Sequence, residues 1–428
     1  MTFPVTKLKW VATSTAGGTP SVAEPSFWSD DEETGLPWVS IGDMSGREQV
    51  TTTSRRVTDS GASAARLPVG APGTLLLSMY ASLGHTAFLT ARASWNQAIL
   101  GIDVSPSYDV RFVKYALDAI KPTLTEFARS NTQANLNAEQ VGNLMLPDPP
   151  LATQRRIADF LDAETSRLDN ISRARHCQQE LLATRFLTRT LETVQGATEP
   201  GPRKPSGLGW LGTVPSSWPI MPVSYEFEVL LGKMLNQERV HGAHLAQYLR
   251  NTNVQWDRIT TDDLLLMDFP PEEQARYSLK PGDLLICEGG EPGRAAIWDG
   301  RISEMYYQKA LHRVRARGYS SPRWLFYCLR AATAQNVFAI EGNSTTIAHL
   351  TGEQLRAHKF PFPAREAQDR LTDRLDADAR LQEQLAELLS RQLKVLAERR
   401  QALITAAVTG QFDVTTASGR NVTEGVSA

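Results

Sequence analysis

Two stretches of the chain place apolar residues at three- and four-residue steps over an unusual length. In the second, Leu371, Leu375, Leu381, Leu385, Leu388, Leu389, Leu393, Leu396 and Leu403 keep that spacing, with Glu383, Glu387, Arg391, Lys394 and Glu398 between them. In the first, Ile157, Phe160, Leu161, Leu168, Ile171, Leu181 and Leu182 follow similar steps. Such spacing paints one apolar stripe on a helix. Neither interior holds Gly or Pro, and each follows a Pro-x-Pro entry, which suits an extended approach and a sharp helix start. About 45 helical residues at ~1.5 Å each make a rod of roughly 65–70 Å. One such rod leaves its stripe bare. Two in one chain cover each other as an antiparallel coiled coil, a better-supported reading than a coil between separate molecules.

The two stretches are copies. Pro147, Gln154 and Leu161-Asp162-Ala163 match Pro361, Gln368 and Leu375-Asp376-Ala377, each displaced by 214 positions. The displacement still holds at the far end, where Leu182-Ala183, Arg185, Val194 and Gly196 match Leu396-Ala397, Arg399, Val408 and Gly410. The remaining segments, mixed α/β in pattern, resemble each other with small indels. Leu67–Leu76 parallels Leu279–Leu285, each a turn feeding a buried strand. Pro37–Asp43 parallels Gln247–Asn253, and Arg111–Leu117 parallels Arg323–Leu329 as a short aromatic helix. Asn131–Leu136 parallels Ser344–Leu350, a polar loop entering an apolar position.

The predicted organisation is an α/β domain over 1–146, a long helix over 147–196 and a Gly/Pro/Ser-rich linker over 197–217. A second α/β domain over 206–360, a second helix over 361–413 and a flexible tail over 414–428 follow. The fold class is α+β, two similar domains separated by paired helices with pseudo-two-fold symmetry.

Composition changes this picture little. No apolar run approaches the ~20 residues of a membrane helix. Cys177, Cys287 and Cys328 are isolated, which argues against a disulfide frame or zinc cluster and for reducing cytoplasm. The net charge is −2. Residues 1–145 carry 11 basic and 13 acidic side chains, residues 205–360 carry 16 of each, and bulk charge therefore neither supports nor excludes DNA. Catalytic signatures are missing. The chain holds neither an Asn/Asp-Pro-Pro-aromatic motif nor a P-loop. Glu288–Gly293 lacks dinucleotide-binding spacing and reads as a tight loop, and His241 and His244 have no partners to complete a metal site.

Four phrases in order carry a family resemblance. They are Gly17–Ser21 with Trp28 and Leu36–Met44; Leu146–Ile157; Gly209–Trp218; and Glu398–Gly410. On this duplication they resemble the specificity subunit of Type I restriction–modification systems over almost the whole chain. The second helix entry departs from the pattern at Phe362–Glu366, while Gln368 keeps register. The resemblance implies a non-catalytic subunit with two target-recognition domains, each reading one half of a bipartite, asymmetric double-stranded DNA target. The paired helices set the spacing and dock two modification (methyltransferase) subunits, and restriction subunits can join that complex. S-adenosylmethionine, Mg and ATP belong to the partners, so no cofactor is expected in this chain. The alternative is a coiled-coil assembly scaffold that reads no sequence.

Base edges are read by Arg, Asn, Gln, Ser and Thr, and phosphates also attract Lys and backbone N–H. Candidate contacts in the first domain are Gly18, Thr19, Pro20, Ser21, Ser40, Asp43, Ser130, Asn131, Thr132 and Asn135. In the second they are Arg250, Asn251, Asn253, Arg294, Gln308, Lys309, Asn343, Ser344, Thr345 and Thr346. Arg313 and Arg315 join them, because alternation on a strand puts them on one face, for which a solvated face is the plainer reading. Trp38 and Tyr248 read as core.

Overall fold

A computed structural model describes residues 3–29, 31, 34–80, 82–130, 135–234, 242–340 and 349–414. The chain divides into two compact units, one of residues 1–175 with 390–428 and one of residues 176–389. Each unit therefore holds one α/β domain and part of each long helix.

The first unit contains a five-stranded sheet in the order Ala12–Ala16, Ile99–Val104, Leu75–Ser78, Thr86–Leu89, Gln49–Val50. A second sheet runs Trp28–Ser29, Arg55–Val57, Leu36–Val39, Ser94–Trp95, with its last pair parallel. Leu75, Leu77, Leu100 and Ile102 bury their side chains against the helix Val110–Ser130, which contributes Val113, Ala116 and Leu117. That helix is 21 residues long, where the sequence predicts a short one.

In the second unit the main sheet runs Phe227–Leu231, Leu311–Ala316, Leu284–Cys287, Ala295–Ile297. The smaller one runs Leu265–Asp268, Leu245–Leu249, Tyr306–Tyr307, again with its last pair parallel. Strand order matches the first unit in both sheets, apart from the extra edge strands there. The helix Pro322–Ala334 packs Trp324, Leu325 and Phe326 into the core with Leu284, Ile286 and Val314.

The long helices span Leu151–Val194 and Arg365–Thr409, each a few residues inside the predicted bounds. Within the first unit, Ile157, Ala158, Leu161 and Leu168 pack on Leu403, Ile404, Ala407 and Val408. The polarity is antiparallel there, since Phe160 meets Phe412 while Asp169 meets Arg400. Within the second unit, Gln179 donates to the Ala386 carbonyl and Arg189 pairs with Asp378, also antiparallel.

One polar clasp fixes domain to helix and is built twice. Gln154, 1% exposed, accepts from the Asp109 N–H and donates to the Pro149 carbonyl, both at 2.9 Å. Arg111 reaches Asp162 at 2.7 Å, and the Tyr115 hydroxyl donates to the same carboxylate at 2.7 Å. In the second unit Gln368 accepts from the Ser321 N–H and donates to the Pro363 carbonyl, both at 2.8 Å. Arg323 and Tyr327 converge on Asp376. These contacts satisfy backbone groups that burial would otherwise orphan.

The segment predicted as a linker is folded. Gly196, at φ +62°, ends the first long helix with its N–H on the Thr193 carbonyl, while the Ala197 N–H reaches Glu192. This is the left-handed stop that glycine favours. A Cβ at Gly196 would lie 2.7 Å from Pro215 and Trp218. Arg203 donates to the carbonyls of Gln195 and Gly196 at 2.9 Å. Strands Arg203–Pro205 and Thr213–Pro215 then form a hairpin that buries Leu211 and Val214 in the same core as Val194.

Candidate nucleic-acid interface

In the first unit the loop after strand Ala12–Ala16 is clamped to the turn that follows Ser94–Trp95. The Gly17 N–H donates to the Ile99 carbonyl and the Gly18 N–H to the Trp95 carbonyl. A Cβ on Gly17 would lie 2.2 Å from the Trp95 and Asn96 carbonyl oxygens, so only glycine fits. Trp38, buried as expected, donates from Nε1 to the Gly18 carbonyl at 2.9 Å. Thr19 is exposed and its hydroxyl bonds the Gln97 amide oxygen. Pro20 is buried, Ser21 is exposed, and the Ser21 carbonyl accepts the Trp28 indole N–H at 3.1 Å. The structure places Asn96 and Gln97 beside Gly17–Thr19, a proximity whose only sequence signal is the Gly-Gly pair.

Ser40 and Asp43 turn toward each other instead of outward. They form a reciprocal cap on the helix Ile41–Met44, and Asp43 also accepts from the Ser54 N–H at 2.9 Å. Asp43 thus orders the segment leading to Arg55. Arg55 stacks on the Trp28 ring at 3.9 Å, and Trp28 in turn meets Trp38 edge-on at 5.1 Å. A cleft of about 570 Å³ opens here, lined by Trp28, Thr51–Arg56 and neighbouring apolar residues. The six-residue polar run Thr51–Arg56 is the sequence signal that could have found it. Ser130 closes its helix, Asn135 is exposed, and Asn131 and Thr132 lie outside the described residues.

The second unit repeats the clamp. A Cβ on Gly232 would lie 2.2 Å from the Gln308 carbonyl oxygen, and the Lys309 N–H donates to the Lys233 carbonyl. Gln308 and Lys309 therefore occupy the turn equivalent to Asn96 and Gln97, with Lys309 exposed. Arg250 donates to the Asp263 carbonyl at 2.8 Å. Arg294 donates to the Asn251 side chain at 2.8 Å, and Asn251 donates to the Gly289 carbonyl at 2.7 Å. The three candidates sit near one another, and Asn251 with Arg294 holds the loop Glu288–Gly293 in place.

Two candidates are buried on internal partners. Asn253, 1% exposed, spends its amide on the Arg250 N–H and on Asp263. Arg313, 2% exposed, donates to the carbonyls of Arg276 and Ser278. Arg315 gives both arms to buried Asp283, at 2.7 and 2.6 Å. The alternation does place both arginines on one strand face, but internal carboxylates and carbonyls occupy them. Asn343, Ser344, Thr345 and Thr346 lie outside the described residues, as does His241.

Burial pushes the Cys287 thiol up to about 11 and Cys328 well above its ordinary value, which keeps both protonated at neutral pH. Among the described residues no cluster of His, Cys, Asp and Glu could hold a metal ion, and no helix is long and apolar enough to cross a membrane.

Comparison with known proteins agrees with the fold. Residues 3–176 match the Type I restriction modification DNA specificity domain. Over 184 residues the chain is 22% identical to the Type I restriction enzyme MjaIX specificity subunit of Methanocaldococcus jannaschii, covering 42% of this chain and 41% of that relative. The chain thus spans about two fifths of the length of this curated relative. A chain from a structure on complex assembly and conformational transition of the type I R-M system superposes with a TM-score of 0.70 at 17% identity. That match covers 96% of this chain and 98% of the other. The HsdS subunit from Thermoanaerobacter tengcongensis gives a TM-score of 0.50 at 16% identity, covering 96% and 97%. Over residues 3–176 the chain is thus similar in sequence to that specificity domain, and over nearly its full length it shares the fold of these two solved chains.

Proposed function

We propose that this chain is the non-catalytic DNA-specificity subunit of a Type I restriction–modification complex. Each α/β domain reads one half of a bipartite, asymmetric double-stranded DNA target. The long helices set the spacing of the halves and dock two methyltransferase subunits, and restriction subunits can join the assembly. One observation carries the reading. The same two-sheet domain is built twice, on the same Gln clasp, with different polar residues at equivalent loop positions. Two readers on one frame suit a two-part target, and a duplicated frame suits two copies of one partner. A scaffold that only assembles proteins has no use for a pair of divergent domains.

The test is co-expression with the modification partner, followed by mapping of methylated adenines. A split, asymmetric motif that vanishes when this chain is omitted is the expected result. Unchanged methylation without it would overturn the reading and leave the scaffold in front.

A further inference from the structure

In the first unit, strand Arg55–Val57 pairs with Leu36–Val39 so that Arg55 faces Trp38; in the second, Leu265 faces Tyr248 in the same register. Arg55 and Leu265 are therefore equivalent positions. Leu265 is 48% exposed and carries no charge. Arg55 is also exposed.

Arg56 donates to the carbonyls of Thr34 and Gly35, and Arg47 donates to Thr52 at 3.5 Å. Arg55 has no carboxylate partner among the described residues; its guanidinium lies over the Trp28 ring. Trp28 is itself fixed, with its N–H on Ser21 and its ring against Trp38. A guanidinium held over a ring face still has N–H donors left to offer to another partner. Arg55 lines the Thr51–Arg56 cleft, and Asp43 holds the backbone behind it through Ser54.

A guanidinium fork with no carboxylate partner among the described residues matches two vicinal acceptors in one plane, and the O6 and N7 of guanine are such a pair. A phosphate offers a similar pair, and the two are told apart by whether loss of the fork changes base preference or only salt dependence. We propose that Arg55 is a base-reading residue of the half-site belonging to the first unit, with a guanine as its partner. The proposal rests on the DNA-reading function proposed above. Its chemistry is absent from the second unit, so it acts on one half-site only.

The experiment uses the full chain in complex with its modification partner and compares methylated motifs for wild type, Arg55→Ala, Arg55→Lys and Trp28→Phe. Arg55→Ala is expected to lose discrimination at one G·C pair of one half-site by roughly tenfold or more, leaving the other half-site unchanged. Arg55→Lys keeps the charge but not the fork, and should lose the same discrimination while assembling normally. Trp28→Phe should weaken it less. The intact second half-site serves as the folding control in each variant. The same base preference in both Arg55 variants would overturn the proposal. So would a uniform loss across all sequences with a shallower salt dependence, which marks a phosphate contact. Absence of any split motif in wild type would overturn the DNA-reading function itself, an outcome distinct from a motif indifferent to Arg55.

Discussion

In the first unit the loop after the short helix Ile41–Met44 sends Glu48 to Arg400 of the second long helix and to Lys114 of the domain's helix. Arg400 also meets Asp169 at 3.2 Å, and Lys114 meets Asp118 at 2.9 Å. In the second unit the corresponding loop sends Trp256 instead, packed edge-on against Phe326 at 5.8 Å. Arg330 lies over both Trp256 and Phe186, the latter being the position equivalent to Arg400. An ion network and an aromatic cluster thus fill the same place in two copies of one frame. Strand order and the Gln clasp persist in both, so the frame sets where the junction is and leaves its chemistry free. The two solutions differ in what weakens them. Charges are screened by salt, whereas buried rings are held by area removed from water.

The largest expected effect comes from Phe186→Ala, which should cost the second unit about 3–5 kcal/mol by opening a cavity in its core. Its counterpart Arg400→Ala should cost the first unit only about 1 kcal/mol, the range of a partly exposed ion pair. Hydrogen exchange resolved by unit would read both, and equal losses would break the contrast. Gln154→Leu and Gln368→Leu each leave a buried N–H and carbonyl unpaired, and each should cost its own unit about 2–4 kcal/mol. A marked inequality between them would show that the clasp is not shared in energy.

Acid should separate the units further. Burial pulls His358 down to about 4 and lowers His312 as well, both in the second unit. A histidine whose folded value lies below its unfolded value stabilises fully above that unfolded value, near 6.5. The contribution fades as pH falls toward 4, because the unfolded chain then binds the proton first. The second unit should lose about 1–2 kcal/mol between pH 7.5 and 5 by His358 alone, and His358→Phe should remove most of that slope in denaturant titrations. The smallest effect is salt. Raising it to about 1 M should weaken the first unit by a few tenths of a kcal/mol and leave the aromatic junction unmoved in the same exchange measurement.

The long helices were legible because their stripe persists for many turns and recurs at a fixed displacement. Strand Leu284–Cys287 was legible as a short apolar run behind a Pro-Gly turn. The contact residues were not, and Asp43, Asn253 and Arg313 show why. A polar side chain that caps a turn or spans two strands inside the protein has the same identity and flanks as one that waits for DNA. Only burial and bonding partners tell them apart. Arg55 was hidden for the opposite reason, since what distinguishes it is a tryptophan 27 positions earlier in the chain.

The hairpin after the first long helix has a mechanical consequence. Composition marks residues 196–217 as slack, yet Leu211 and Val214 are inserted in the core and Arg203 grips the helix end. Rotation of the helix terminus is therefore passed to the domain that follows without play. An extra residue added there has no loose chain to vanish into, and must either push a leucine or valine out of its socket or turn the whole domain that follows about the helix end.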